Sequence, residues 1–418
     1  MAFGKIPRFS PSFSPKEALI SARYLLGHED DAAWVKRFED TFSKYIGARH
    51  AVMVPSARYG CYLLLKSLGV GPGDEVIVPS MTYFAIPAMV SLLGAKPVWA
   101  DIGLSSHVID PDAFEKAITP KTKAVIPTHL FGTPCDMDPI NAIAKKHGVK
   151  VIEDCAQSTG ARYKGKRVGS LGDAAYYTFG LTKNITTLSG AMITTDDDRV
   201  AAEVRAVIAA GEPVAKEKAR KEAVTGLGMF VATHPLVYWA TLHPAIVIGN
   251  KLGEDPIHER FGEAEVVYDK LPSGFKKTRS LAVNAAVGLH QLSRIDELNG
   301  ARVRNGRILD EQLAHVPGLL VPTYPEGAEP IYMSFVVHHA RRDDLMKALR
   351  KRGVDTTIGY MNDMSDHELF PQFRDPKPNS ARAKRELLHL PVHPNLSERD
   401  RDHLCEAVRE ACLELKAS

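Results

Sequence analysis

Cysteine is scarce in this chain of 418 residues, at five copies, and no two of them stand in Cys-x-x-Cys spacing. Cys61, Cys135, Cys155, Cys405 and Cys412 therefore offer neither a zinc-ribbon pattern nor a closed disulfide framework, and they read as reduced, buried thiols. Charge of one sign is lacking too: 53 Lys and Arg stand against 50 Asp and Glu, a net +3. That balance, with no dense basic run carrying interleaved aromatics, excludes a nucleic-acid binder. "MAFGKIPRFSPSFSPKEAL" has no apolar core and no cleavage site, so the expected location is cytoplasmic. "GVGPGDE" precedes a strand and lacks a third glycine, so it is no dinucleotide fingerprint. Internal repeats and low-complexity tracts are missing.

Long hydrophobic runs are few, and one stands apart. Gly226–Gly249, "GLGMFVATHPLVYWATLHPAIVIG", has no Asp, Glu, Lys or Arg and follows the charged run Lys216–Glu222. About 20 apolar residues suffice to span a bilayer. Pro235 and Pro244 would interrupt such a helix, and His234 and His243 lower its apolarity. Neither histidine keeps metal-type spacing with a carboxylate or cysteine, and no metal ligand set is expected. Burial in a core or dimer interface is one reading of 226–249; peripheral membrane contact is the other.

What is present is a composition of 44% hydrophobic and 25% charged residues, that of a globular protein. Short apolar runs occur at Ala51–Val54, Val76–Val78, Pro97–Ala100, Ala124–Pro127, Val149–Ile152, Ala174–Phe179 and Ala191–Thr195. Helical patterns at Ala57–Ser67, Ala85–Leu93, Pro111–Ala117 and Asp138–Lys146 alternate with them. Near-continuous apolar strands alternating with helices predict an α/β fold with a mainly parallel sheet of about seven strands. The pattern divides into an N-terminal arm (1–26, rich in Pro, Ser and Phe and expected to be extended), a large domain (27–273) and a smaller C-terminal α+β domain (274–418). In the last, helical patterns at Ser280–His315, Arg342–Arg352 and Glu398–Lys416 accompany a strand expected at Ile331–His338.

Four stretches carry chemistry. In "YYTFGLTKNITTLSG" a short polar loop between two apolar runs holds Lys183, an amine able to act as a nucleophile and form a Schiff base. In "VIEDCAQSTG" an apolar strand ends at Asp154 with Gln157 just beyond, where parallel sheets meet their ligands. An aspartate there can keep a pyridine nitrogen protonated, as pyridoxal phosphate (PLP) chemistry requires; it can also be a helix N-cap. "VPSARYGC" turns through Ala57 and Arg58 into a helix whose free N–H groups suit a phosphate. "VPSMTYFAIPA" places Tyr83 in a loop after a strand, able to stack on a flat ring or simply to pack.

These four pieces, with "PTHLFGTPCDMDPI" and "EDCAQSTGARYKGKRVGSLGDAA", resemble the DegT/StrS-type sugar aminotransferases, PLP enzymes of fold type I, over nearly the whole chain. The resemblance implies that Lys183 carries the cofactor and moves the proton. Asp154 would partner the pyridine nitrogen, and Gln157 would contact the phenolic oxygen. Thr178 would bind phosphate with the Ala57 and Arg58 amides, and Tyr83 would stack on the ring. It also implies an amino donor, glutamate, a keto-sugar acceptor linked to a nucleotide, and a homodimer with shared sites. The chain departs from the family pattern at Ala57-Arg58, usually Gly-Thr, and at Gly180, often histidine. Leu188-Ser189-Gly190 stands where Gly-Glu-Gly is common, and Lys277-Thr278-Arg279 replaces Asn-Tyr-Arg. Two alternatives stay open. One is a PLP-dependent sugar dehydratase, whose relatives carry histidine in place of the lysine. The other is a membrane-docked protein of the same fold, acting on a lipid-linked acceptor or as a scaffold.

Overall fold

The computed structural model describes residues 6–8, 13–26, 31–180, 182–212, 216–233, 237 and 280–417. Seven strands form the main sheet: β1 (His50–Val54), β2 (Glu75–Pro79), β4 (Lys96–Ala100), β5 (Thr122–Val125), β6 (Lys150–Asp154), β9 (Ala174–Thr178) and β10 (Ala191–Thr195). Their order is β1-β10-β9-β6-β5-β2-β4. All run parallel except β10, which is antiparallel to both β1 and β9. These are the seven apolar runs of the sequence, and they are apolar because helices cover both faces.

The helices are α1 (Pro15–Leu25), α2 (Asp31–Ile46), α3 (Ala57–Ser67), α4 (Ala85–Leu92), α5 (Pro111–Ala117), α6 (Met137–His147), α7 (Asp198–Ala209), α8 (Lys216–Thr233) and α9 (Ala282–Leu313). Local chemistry sets several of their ends. Asp110 caps α5 with Pro111 in its first turn, and Asp197 caps α7. Gly148, at φ 67°, stops α6 in the left-handed conformation.

The stretch expected as an extended arm instead carries α1. Ser14 and Glu17 form a reciprocal capping box with Pro15 at the first turn. Glu17, Ala18, Ser21 and Tyr24 are buried on one face, so the Pro and Ser residues punctuate a helix start and do not exclude a helix.

A second, antiparallel sheet has the order β11-β13-β15, built from β11 (Leu319–Leu320), β13 (Phe335–His339) and β15 (Leu387–Leu390). Helices Arg342–Lys351 and Glu398–Ala417 close its core with Phe335, Val337, Leu345, Leu404 and Val408. β13 starts later than the sequence suggests: Tyr332 adopts φ 49° and the Ile331 N–H bonds to the Gly132 carbonyl, so the ladder begins only at Phe335. α9 serves both cores. Ala285, Leu292 and Ile295 pack under the main sheet, whereas Leu309 and Leu313 pack in the second core. Ile6 joins the second core and bridges to Val354.

Two small pairings finish the fold. β7 (Arg162–Tyr163) lies between β8 (Lys166–Arg167) and β12 (Ala328–Glu329). β3 (Met81–Thr82) pairs with β14 (Asn362–Asp363).

α8 covers the first part of the uncharged stretch, to Thr233. The remainder of 226–249, Val237 aside, and Lys277-Thr278-Arg279 lie outside the described residues. Among the described residues no helix is long and apolar enough to cross a membrane.

Candidate active site

Parallel strands deliver their carboxyl ends to one edge of the sheet, and the residues singled out in the sequence meet there. The connection from β9 to β10 closes on itself: the Phe179 N–H bonds to the Gly190 carbonyl at 3.1 Å and the Thr187 N–H to the Phe179 carbonyl at 3.0 Å. Within this ring Lys183 is half-buried. Its Nζ donates to the Tyr360 hydroxyl at 3.0 Å. Among the described residues, a Cβ placed on Gly180 would meet nothing within 4 Å, which leaves space there.

The loop rests on amide side chains from α9. Asn284 donates to the Thr187 carbonyl, and Gln291 accepts from the Thr186 N–H at 3.5 Å. Gln291 also donates to Glu17 of α1 at 2.6 Å. Asn299 and Asn184 both donate to the Thr159 carbonyl, at 3.0 and 2.7 Å. The sequence reading missed this support, yet it left a signal: Asn284, Gln291, Asn299 and Asn305 are uncharged polar residues recurring on the inward stripe of one long helix.

Asp154 ends β6 and is 4% exposed. One carboxylate oxygen accepts the Ala156 N–H at 2.9 Å, the other faces the Thr128 hydroxyl at 3.5 Å, and the Tyr176 hydroxyl also approaches the carboxylate. Burial pushes its carboxyl above the ordinary range, while the Ala156 N–H, the Tyr176 hydroxyl and the Lys183 charge pull it back. A buried carboxylate close enough to feel the lysine amine suits a cationic ring nitrogen. Gln157 accepts the Phe131 N–H at 2.9 Å, which leaves its amide N–H groups to donate.

At the start of α3, Ser56 accepts from the Tyr59 N–H at 3.3 Å and its carbonyl accepts from Gly60. Among the described residues the Ala57 and Arg58 N–H groups have no hydrogen-bond partner, and they lie at the positive end of the helix dipole. Thr178 ends β9, the strand against which α3 packs, and among the described residues its hydroxyl is likewise unengaged. Free N–H groups at a helix start are of the kind that can hold an anion. The Arg58 side chain is exposed.

Tyr83 follows β3, half-buried, with its ring edge-on to Tyr360 at 6.0 Å. Tyr360 itself escaped the sequence reading.

The buried trio His129, Glu153 and Cys155 brings potential ligand atoms within 4.8 Å of one another. These atoms already have work. The Cys135 N–H donates to His129 Nδ1 at 2.9 Å, so the ring proton sits on Nε2 and is donated to Glu153, also at 2.9 Å. Glu153 further accepts the Gly169, Leu171 and Gly172 N–H groups, each at 2.7 Å. The trio is a hydrogen-bonded hub that fixes the 168–173 loop behind Asp154.

A mainly parallel sheet whose carboxyl edge joins a loop lysine, a buried aspartate and a phosphate-type helix start is the framework of a PLP-dependent aminotransferase. The sequence profile described as the DegT/DnrJ/EryC1/StrS aminotransferase family matches residues 22–233 and 259–409, and the chain belongs to that family. It is 31% identical over 386 residues to the spore coat polysaccharide biosynthesis protein SpsC of Bacillus subtilis, covering 90% of this chain and 89% of that protein. Among solved structures, DesV of S. venezuelae is 29% identical with a TM-score of 0.74, over 95% of this chain and 94% of DesV. DesI, determined in the presence of its TDP-sugar product, is 25% identical with a TM-score of 0.75, over 100% and 96%. The enzyme class, the fold and the PLP cofactor follow, and the sugar aminotransferases among its relatives place it in amino-sugar chemistry.

Proposed function

We propose that this enzyme takes an amino group from glutamate and passes it to a keto-sugar carried on a nucleotide. The observation that carries the reading is Lys183 on a closed loop at the carboxyl edge, near enough to the buried Asp154 for its charge to act on that carboxyl. PLP, when bound, supplies an electron sink that acidifies the C–H beside the transferred nitrogen. Lys183 is the point of attachment and, once freed, the base and acid at Nζ that moves the proton. Asp154 keeps a proton at the ring nitrogen. The Ala57 and Arg58 N–H groups and the Thr178 hydroxyl hold the phosphate, Gln157 donates to the phenolic oxygen, and Tyr83 flanks the ring. The open space beside Gly180 favours a bulky acceptor, and the TDP-sugar product of DesI supports a nucleotide-linked one.

Two copies are expected to share the sites. Leu19 and Leu26 of the α1 region, with Val224 and Val231 of α8, are exposed apolar side chains that a second chain would cover.

The test is the visible absorbance of protein mixed with PLP, before and after glutamate, beside Lys183→Ala. The expected result is a band that needs Lys183 and bleaches with glutamate. A Lys183-dependent band indifferent to glutamate overturns the donor, and no such band overturns the role of the lysine. The same loaded sample should have the mass of two chains in solution; a fully active single chain would refute the dimer.

A further inference from the structure

The Lys183 amine has one hydrogen-bond acceptor among the described residues, and it comes from far along the chain: the Tyr360 hydroxyl, 177 residues away. We propose that Tyr360 is the seat of the lysine amine whenever that amine is free, holding Nζ where it must take or return a proton. This rests on the aminotransferase reading of the site and adds a residue to it.

The backbone around Tyr360 is pinned on both sides. Upstream, Thr357 bridges to His389 of β15, with the His389 N–H on the Thr357 carbonyl at 2.8 Å. Gly359 then turns the chain at φ 70°, with the His389 ring so close that a side chain at 359 has no room. Downstream, β14 pairs with β3, Asn362 opposite Thr82. The second sheet thus fixes one side of Tyr360 and the loop that bears Tyr83 fixes the other. Its ring stands edge-on to Tyr83, and the Lys183 Nζ lies 5.4 Å from its centroid, on the hydroxyl side of the ring.

The bond has a direction that suits the task. Nζ donates and the phenolic oxygen accepts, so the Tyr360 proton stays available to donate elsewhere in the pocket. An unrestrained lysine side chain samples many rotamers. An acceptor at 3.0 Å selects the set that leaves the amine beside the open space at Gly180.

The experiment compares wild type with Tyr360→Phe, which keeps the ring and removes the acceptor. The first readout needs neither cofactor nor turnover. Cofactor-free protein is treated with a trace of acetic anhydride, and acetylation at Lys183 is quantified by mass spectrometry against other lysines. Release of the amine should raise labelling of Lys183 in Tyr360→Phe by roughly 3-fold or more, a loss on the scale of one hydrogen bond. The second readout is a split of kinetic constants. Loss of a group that only positions the proton carrier should lower kcat by roughly 10- to 100-fold with KM for glutamate little changed. Unchanged labelling together with unchanged kcat overturns the proposal. Raised KM with kcat intact also overturns it, because Tyr360 would then be a substrate contact alone. If wild type proves inert with glutamate, the donor assignment fails, and the labelling arm still decides the place of Tyr360.

Discussion

Gly288 is where the lysine loop meets the aromatic core. A Cβ built there would lie 2.5 Å from the Phe38 ring and 2.8 Å from the Thr187 methyl. Phe38 cannot retreat, being fully buried between Phe42 and Phe179 with ring centroids at 5.9 and 5.6 Å. Thr187 is the other neighbour, and its N–H closes the ring that carries Lys183. Gly288→Ala should therefore lower stability by about 1–3 kcal/mol in urea unfolding, the usual range for overpacking a tight core. Some of the strain should reach the loop, so PLP binding should weaken as well. A variant as stable as wild type, with unchanged PLP binding, would show that the helix shifts instead.

At the scale of elements, the strands of the main sheet were readable because covered parallel strands must be apolar along their whole length. Lys183 and Asp154 could be named as candidates because parallel sheets meet their ligands just beyond such strands. The other half of the site was hidden by distance. Tyr360 reaches Lys183 through the pairing of β14 with β3 and the bridge of Thr357 to His389, and no local pattern announces a contact across 177 residues. α1 was hidden for the opposite reason. Ser14-Pro15-Lys16-Glu17 is a legible capping signature, but Pro and Ser on either side drew attention to turns. The hairpin of β7 and β8 likewise had a signal, Lys164-Gly165, both residues at positive φ, 48° and 78°.

At the scale of the molecule, the interface between the two sheets is rich in buried histidine. His107, in the loop after β4, sits against His338 of β13 with their Nε2 atoms 2.7 Å apart and rings stacked. Burial holds His107 well below the ordinary histidine range, with His338 and His389 adding to the effect. Burial likewise pulls His338 and His393 down to about 4, and His389 to about 3. Folded, these rings stay neutral, whereas the unfolded chain protonates them near the ordinary histidine value of about 6.5. Their contribution to stability is thus complete above about pH 6.5 and lost as pH falls toward 4. His338, His389 and His393 should each take away roughly 2 kcal/mol between pH 6.5 and 5, and His107 should act in the same direction. Urea midpoints should fall steeply over that interval, and His338→Gln should flatten the fall. A midpoint independent of pH between 7 and 5 would contradict this account.

The pairing of Ile6 with Val354 also sets a schedule for the newborn chain. Ile6 exchanges backbone bonds with Gly353 and Asp355, and Arg8 bonds to Asp355 at 2.8 Å, so these contacts of residues 6–8 cannot form until the far partner has been made. At 5–20 residues per second, those partners emerge roughly 20–70 s after Ile6. For that interval residues 6–8 stay open to proteases, chaperones and modifying enzymes. Closure of the second core waits on these late partners, and it is also the act that brings Tyr360 to the lysine.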